Sequence, residues 1–152
     1  MRPAAADDVT GIVSLLNAAF AMEWDFLSRD RTNAAEIAHY LETGTFLIVD
    51  GADGALGACM YLERRGDRMY LGMLAVGPAQ QGHGVGRQMM AAADRHAASH
   101  GCVALDIRIV NLRAELPPFY RKLGFVDNGT EPFEDPLLTR PCHFIRMVKK
   151  VG

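Results

Sequence analysis

The spacing of apolar positions changes along the chain. Val9, Ile12, Val13, Leu16 and Phe20 recur three and four residues apart, as on one helical face, with Asp7 or Asp8 placed ahead as a cap. Ile37 and Leu41 keep that spacing after Thr32 or Asn33, and Gly44 is placed to end this second helix. Residues 45–49, 55–63 and 68–76 are then apolar runs separated by Gly51-Ala52-Asp53-Gly54 and Arg65-Gly66-Asp67, which predicts an antiparallel meander. From 84 to 100 the helical period returns, with Val85, Met89, Ala92, Ala93 and His96 along one side and Gly101 at the end. Residues 103–109 alternate strictly and form a strand with Asp106 and Arg108 on one face. Strand, helix and strand in this order imply a right-handed crossover to a parallel neighbour. Pro117 and Pro118 open a short helix through Lys122, Gly124 ends it, and residues 143–149 supply a last strand. The pattern predicts a mixed α/β architecture.

Length and charge narrow the function classes. A chain of 152 residues, 49% hydrophobic and without repeats or a long linker, is expected to form a single domain over 1–152. Sixteen basic against eighteen acidic side chains leave no positive field to attract a nucleic-acid backbone. The acidic N-terminus does not resemble a signal peptide, and no apolar run is long enough for a membrane helix. Cys59, Cys102 and Cys142 are odd in number and widely spaced, as expected of reduced thiols in a cytoplasmic protein. The five histidines and three cysteines are expected to form no metal site.

The segment Leu74-Ala75-Val76-Gly77-Pro78-Ala79-Gln80-Gln81-Gly82-His83-Gly84-Val85-Gly86-Arg87 runs from an apolar strand through a glycine loop into a helix. Such a loop exposes backbone N–H groups, and the helix N-terminus adds partial positive charge, so the segment suits a phosphate or pyrophosphate. It lacks the Gly-Lys-Ser/Thr of a Walker loop, and Arg87 stands where a dinucleotide fingerprint needs glycine. ATP and NAD are therefore not the expected ligands. Asn111 closes the alternating strand, and Phe119-Tyr120-Arg121-Lys122-Leu123-Gly124-Phe125 follows.

This order of motifs resembles the GNAT superfamily of acetyl-CoA-dependent N-acetyltransferases. Gln81, Gly84 and Gly86 match its Gln/Arg-x-x-Gly-x-Gly/Ala loop, Leu74-x-Val76-x-Pro78 is similar to the strand before it, and Phe119-Tyr120 through Phe125 is similar to its second conserved segment. Asn111 and Tyr120 stand nine positions apart, a longer interval than the family usually shows. The resemblance implies an α+β fold with a mixed, mostly antiparallel sheet of about six to seven strands flanked by about four helices. It further implies acetyl transfer from acetyl-CoA to a primary amine by direct attack in a ternary complex. In that reading Leu74, Ala75 and Val76 hold the pantetheine arm, and Gln81, Gly82, His83, Gly84, Val85, Gly86 and Arg87 hold the pyrophosphate. Asn111 completes the cofactor contacts, and Tyr120 is the general acid. No metal is implied. The alternatives are a CoA-binding sensor with little catalysis and an N-acyltransferase for longer acyl chains.

Acceptor recognition is expected from Met22, Glu23, Trp24, Asp25 and Phe26 and from the late loop 129–141, where Glu131, Glu134 and Asp135 could draw in a cationic amine and Phe133 hold its apolar part. Glu63, Asp106 and His143 are the strand-borne candidates for a general base, with a relaying water as the alternative. A homodimer is expected through the last strand or a free sheet edge.

Overall fold

The computed structural model describes residues 1–152 throughout, apart from the side chains of Met22 and Trp24. One mixed sheet of seven strands runs in the order β1-β2-β3-β4-β5-β7-β6. The strands are β1 (Arg2–Pro3), β2 (Thr45–Asp50), β3 (Leu56–Arg65), β4 (Arg68–Val76), β5 (Ala104–Val110), β6 (Val126–Pro132) and β7 (His143–Lys150). Four helices flank it: α1 (Val9–Ala19), α2 (Ala34–Thr43), α3 (Val85–Ser99) and α4 (Leu116–Lys122). The predicted meander is β2-β3-β4, and the predicted parallel crossover joins β4 to β5 through α3.

Local chemistry fixes the helix ends. Asn33 caps α2, its side-chain oxygen accepting from the Glu36 N–H at 2.9 Å, while the Gly44 N–H closes the other end on the Tyr40 carbonyl. Asp8 serves the short 3₁₀ turn at residues 6–8 rather than α1 itself, because its carboxylate accepts from the Ala5 N–H and is clamped by Arg2. Ala97, not His96, completes the buried stripe of α3; His96 sits at the margin, its ring 4.3 Å from that of His100.

The sheet separates two apolar layers. Ile12, Leu16 and Ile37 from α1 and α2 pack with Phe46, Ile48, Cys59 and Tyr61 on one face. Val85, Met89 and Ala93 from α3, with Tyr120 from α4, pack with Met60, Leu62, Leu105 and Ile107 on the other. A third cluster joins Phe26 and Leu27 to Val110, Leu138 and Phe144. Fully burying one such aliphatic side chain stabilises the fold by about 1.5–3 kcal/mol, so these layers and not the surface ion pairs hold the sheet together.

Two strands depart from the sequence reading. Residues 126–132 form an edge strand, so the expected late loop 129–141 begins inside β6. The last strand, β7, lies between β5 and β6 and is paired on both sides, so it offers no edge to a second copy; the free edges are β1 and β6.

β4 carries the distortion that opens the molecule. Its register with β3 slips so that Met73 and Leu74 together oppose Met60, and Met73 takes φ +48°. The extra residue reverses the faces downstream: Met69 and Leu71 belong to the α3 layer, Met73 and Ala75 to the α1 layer, and Leu74 and Val76 return to the α3 side. On its other side β4 pairs with β5 only at Arg68↔Ala104, Met69↔Leu105 and Tyr70↔Asp106. The Arg68 guanidinium grips Asp106 with two hydrogen bonds of 2.6 Å at this closed end. Beyond Tyr70 the strands diverge.

Candidate active site

The divergence makes a cavity of about 1280 Å³ between Leu71–Val76 of β4 and Ile107–Val110 of β5. It lies at the carboxyl ends of two parallel strands, where open α/β sheets place their ligands.

One end is built from the glycine loop. Gly82 and Gly84 adopt φ +80° and +75°, a left-handed backbone that side-chain-bearing residues rarely take, and this turns the chain from β4 into α3. Gly84 is the N-cap of α3, and no side chain among the described residues caps it. The first amides of a 15-residue helix therefore face the cavity with their partial positive charge, beside Arg87. Gln81 folds its amide onto the Val76 carbonyl at 3.0 Å and ties the loop to the end of β4. Such a cradle fits a pyrophosphate. Leu74, Ala75, Val76, Gln81, Gly82, Gly84, Val85, Gly86 and Arg87 all line the cavity.

Two residues of the expected contact set do not line the cavity. His83 is exposed and outside the cavity wall. Asn111 closes the β5–β7 ladder: its N–H donates to the His143 carbonyl at 2.9 Å and its side-chain oxygen accepts from the His143 N–H at 2.8 Å. Asn111 therefore spends its backbone N–H and its side-chain oxygen inside the fold.

Tyr120 stands in the cavity wall on α4, 8% exposed, with Phe119 and Phe125 set edge-on to its ring at 5.1 and 5.6 Å. Among the described residues no hydrogen bond reaches its hydroxyl. No fully buried side-chain polar atom among the described residues lacks a partner, so this unbonded hydroxyl keeps some accessible surface on a residue that lines the cavity. Burial pushes the phenol up to about 12, against the pull of Arg113, so it is a neutral proton donor across the physiological range.

The other end is walled by the two segments expected to recognise the acceptor, and the fold zips them together. Leu27 bridges to Leu138, the Ser28 N–H donates to the Leu137 carbonyl, and the Thr139 N–H donates to the Phe26 carbonyl. Phe26 is buried in the third cluster and does not face the cavity, whereas Phe133 does, stacked on Phe144 with centroids 4.4 Å apart. The side chains of Met22 and Trp24 lie outside the described residues. Three of the expected acids already hold arginines: Glu23 takes Arg113 at 3.1 Å, Asp135 takes Arg29 at 2.9 Å and Glu131 takes Arg108 at 3.7 Å. Burial raises the Glu23 carboxyl above the usual range despite the pull of Arg31, Arg113 and Arg29.

None of the strand-borne base candidates lines the cavity. Glu63 accepts from Tyr61 and Arg65, Asp106 is held by Arg68, and His143 is exposed at the start of β7. Sequence reasoning missed Arg113, which the long Asn111–Tyr120 interval carries, and the arginines and tyrosines at 29, 31, 40 and 70 that complete the wall. It also missed the ligand spacing of His96 and His100, one turn apart at the far end of α3; no group of three or more potential metal ligands occurs among the described residues. No helix is long and apolar enough to cross a membrane.

The sequence matches the family model described as the acetyltransferase (GNAT) family over residues 9–125. Among solved structures, a nourseothricin acetyltransferase superposes with a TM-score of 0.67 at 25% identity, over 72% of this chain and 66% of that one, so this chain spans just under two thirds of that relative. The ribosomal-protein-S18-alanine N-acetyltransferase from Escherichia coli gives 0.78 at 16% identity, over 99% and 92%. An IAA acetyltransferase from Bacillus cereus gives 0.71 at 20%, over 98% and 97%. The last two likenesses are likenesses of fold.

Proposed function

Because this chain belongs to the GNAT acetyltransferase family, we propose that it transfers an acetyl group from acetyl-CoA to a primary amine of a small molecule or protein by direct attack in a ternary complex. The observation that carries this reading is the composition of one continuous cavity: an uncapped helix N-terminus and glycine loop at one end, a bulged strand along its side, and a buried phenol in its wall.

In this reading the first amides of α3 and Arg87 hold the pyrophosphate, and the open edge of β4 at Leu74–Val76 holds the pantetheine arm as an added strand would. The Leu74 N–H donates to the thioester oxygen as attack by the amine loads it with charge. The amine nitrogen forms the new C–N bond, the C–S bond breaks, and Tyr120 gives its proton to the departing sulfur. The proton lost by the amine leaves through water. The free thiols of Cys59, Cys102 and Cys142 agree with a reducing, cytoplasmic setting. The same proposal extends to a homodimer joined at a free sheet edge, and a monomeric mass in light scattering at micromolar concentration removes that extension.

The test is thiol release from acetyl-CoA with pooled amines, for wild type and Tyr120→Phe, after calorimetry establishes acetyl-CoA binding. Release that depends on one amine pool and falls at least about tenfold in the variant supports the reading, tenfold being the low end of general acid catalysis. Tight binding without release from any pool points instead to a CoA-binding sensor, and release only from longer thioesters points to a different acyl donor.

A further inference from the structure

The acceptor end of the cavity carries an arginine that no carboxylate bridges among the described residues. Arg29 is held by Asp135, and Arg113 by Glu23 and Glu115 at 3.1 and 2.7 Å. Arg31 lines the same wall, yet among the described residues no carboxylate oxygen lies within 4.0 Å of its nitrogens. The carboxylates nearest in the fold act on it at longer range: Glu23 feels Arg31 but bonds Arg113, and Glu36 accepts from the Thr32 hydroxyl at 2.7 Å.

The position of Arg31 is nonetheless defined. Its guanidinium rests over the Phe20 ring at 5.4 Å from the centroid, and Arg113 rests on the same ring at 5.6 Å. The two guanidinium carbons are therefore no more than about 11 Å apart. Arg113 in turn acts electrostatically on Tyr120, so Arg31 lies within a small molecule's length of the reacting end of the cavity. A second cation, Arg108, faces the same space over Phe144 at 4.4 Å, with its only carboxylate contact the long one to Glu131. Tyr40, which lines this wall, feels both Arg31 and Arg108.

A guanidinium fixed on an aromatic platform, with its fork unpaired and facing a cavity, is prepared for a planar anion: the ordering entropy is already spent and two parallel hydrogen bonds are available. Two acids of this wall, Glu23 and Asp135, are already held by arginines, while Glu36 and Glu134 carry no such partner among the described residues and stay available to the amine end of the same molecule. We propose that Arg31 binds a carboxylate of the acceptor, so that the amine acetylated belongs to a small amino carboxylate, an amino acid or a close analogue. The inference rests on the acetyl-transfer reading above and deepens it by naming the acceptor class.

The experiment compares amino carboxylates with their own carboxamides and decarboxylated amines, across the α-amino acids and a series from glycine to 6-aminohexanoate. Wild type, Arg31→Gln and Arg31→Lys are assayed by thiol release, with the acetyl-CoA Kd as the control for an intact fold. We expect wild type to favour the carboxylates by about 10–100-fold in kcat/KM, the range set by a charge-assisted hydrogen bond. Arg31→Gln collapses this ratio toward one, chiefly through KM, and Arg31→Lys restores part of it. A wild type that treats amides or decarboxylated amines as well as the acids overturns the inference and leaves acetyl transfer standing, and so does an Arg31→Gln enzyme that keeps the preference. No release from any amine, with no acetyl-CoA binding, overturns both.

Discussion

A phenol that is buried, edge-packed by two aromatic rings and without a hydrogen-bond partner among the described residues has the cavity it lines as its polar opportunity. For Tyr120 this fixes a pH dependence. Its proton is retained below a pKa pushed up to about 12 and is lost only as pH rises through that value. We therefore predict that kcat/KM shows no fall attributable to this group between pH 7 and 10; a basic limb near pH 9 that disappears in Tyr120→Phe would contradict it. Burial acts on Cys59 in the same direction, also to about 12, so its thiolate is scarce at ordinary pH as well as inaccessible. A disulfide-exchange reagent at pH 8 is expected to leave Cys59 unlabelled in the folded protein and to label it in urea, as peptide mapping can establish. Side chains of this kind divide into those legible in sequence and those not. The glycine loop is read from local order, and Tyr120 from the resemblance of its segment to a family motif. Arg31, Arg113 and Phe20 form a unit only because residues far apart in the chain meet, and no local period marks them.

Elements were legible where one face is buried and silent where neither is. β5 shows strict alternation because Leu105, Ile107 and Ile109 are buried while Asp106 and Arg108 are not. β6, with the sequence VDNGTEP, is solvent-facing along almost its whole length and so carries no apolar period; it is a strand because β7 pairs with it. The bulge in β4 is equally silent, since the apolar pattern runs through it on both sides. The α2–β2 junction gives a sharper test of element packing. A Cβ at Gly44 would stand 2.5 Å from the Leu62 carbonyl oxygen and 2.7 Å from the Tyr61 ring, so the backbone itself must move. Gly44→Ala is expected to cost about 1–3 kcal/mol, the range for overpacking, read as a lowered midpoint in urea. Asn33→Ala, which removes the cap of α2 without a clash, is expected to cost about 1 kcal/mol in the same assay.

At the scale of the whole molecule, the apolar layers fill both faces of the sheet while the sheet itself stays open between its fourth and fifth strands. A ligand lying along β4 with its anionic end on α3 would touch both sides of that opening. Binding to the folded state alone stabilises it by mass action, about 2.7 kcal/mol at a hundredfold excess over Kd. Acetyl-CoA is accordingly expected to raise Tm in a concentration-dependent way, and a Tm that stays constant up to millimolar acetyl-CoA would contradict the site. The β2-β3-β4 meander and the parallel crossover to β5 were legible from the apolar pattern, whereas the insertion of β7 between β5 and β6 was not. The charge pairing around the acceptor end was not, because it depends on two segments more than a hundred residues apart being laid side by side.

The three residue pairs that join β4 to β5, with one arginine–aspartate fork beside them, also decide where the molecule would part under load. A crack runs where the fewest bonds must fail together. Pulled across its strands, this sheet would divide along that line into two plates, β1–β4 and β5–β7, tethered by α3 and by the seam that joins residues 26–28 to 137–139. Whatever fills the gap between them acts as a rivet.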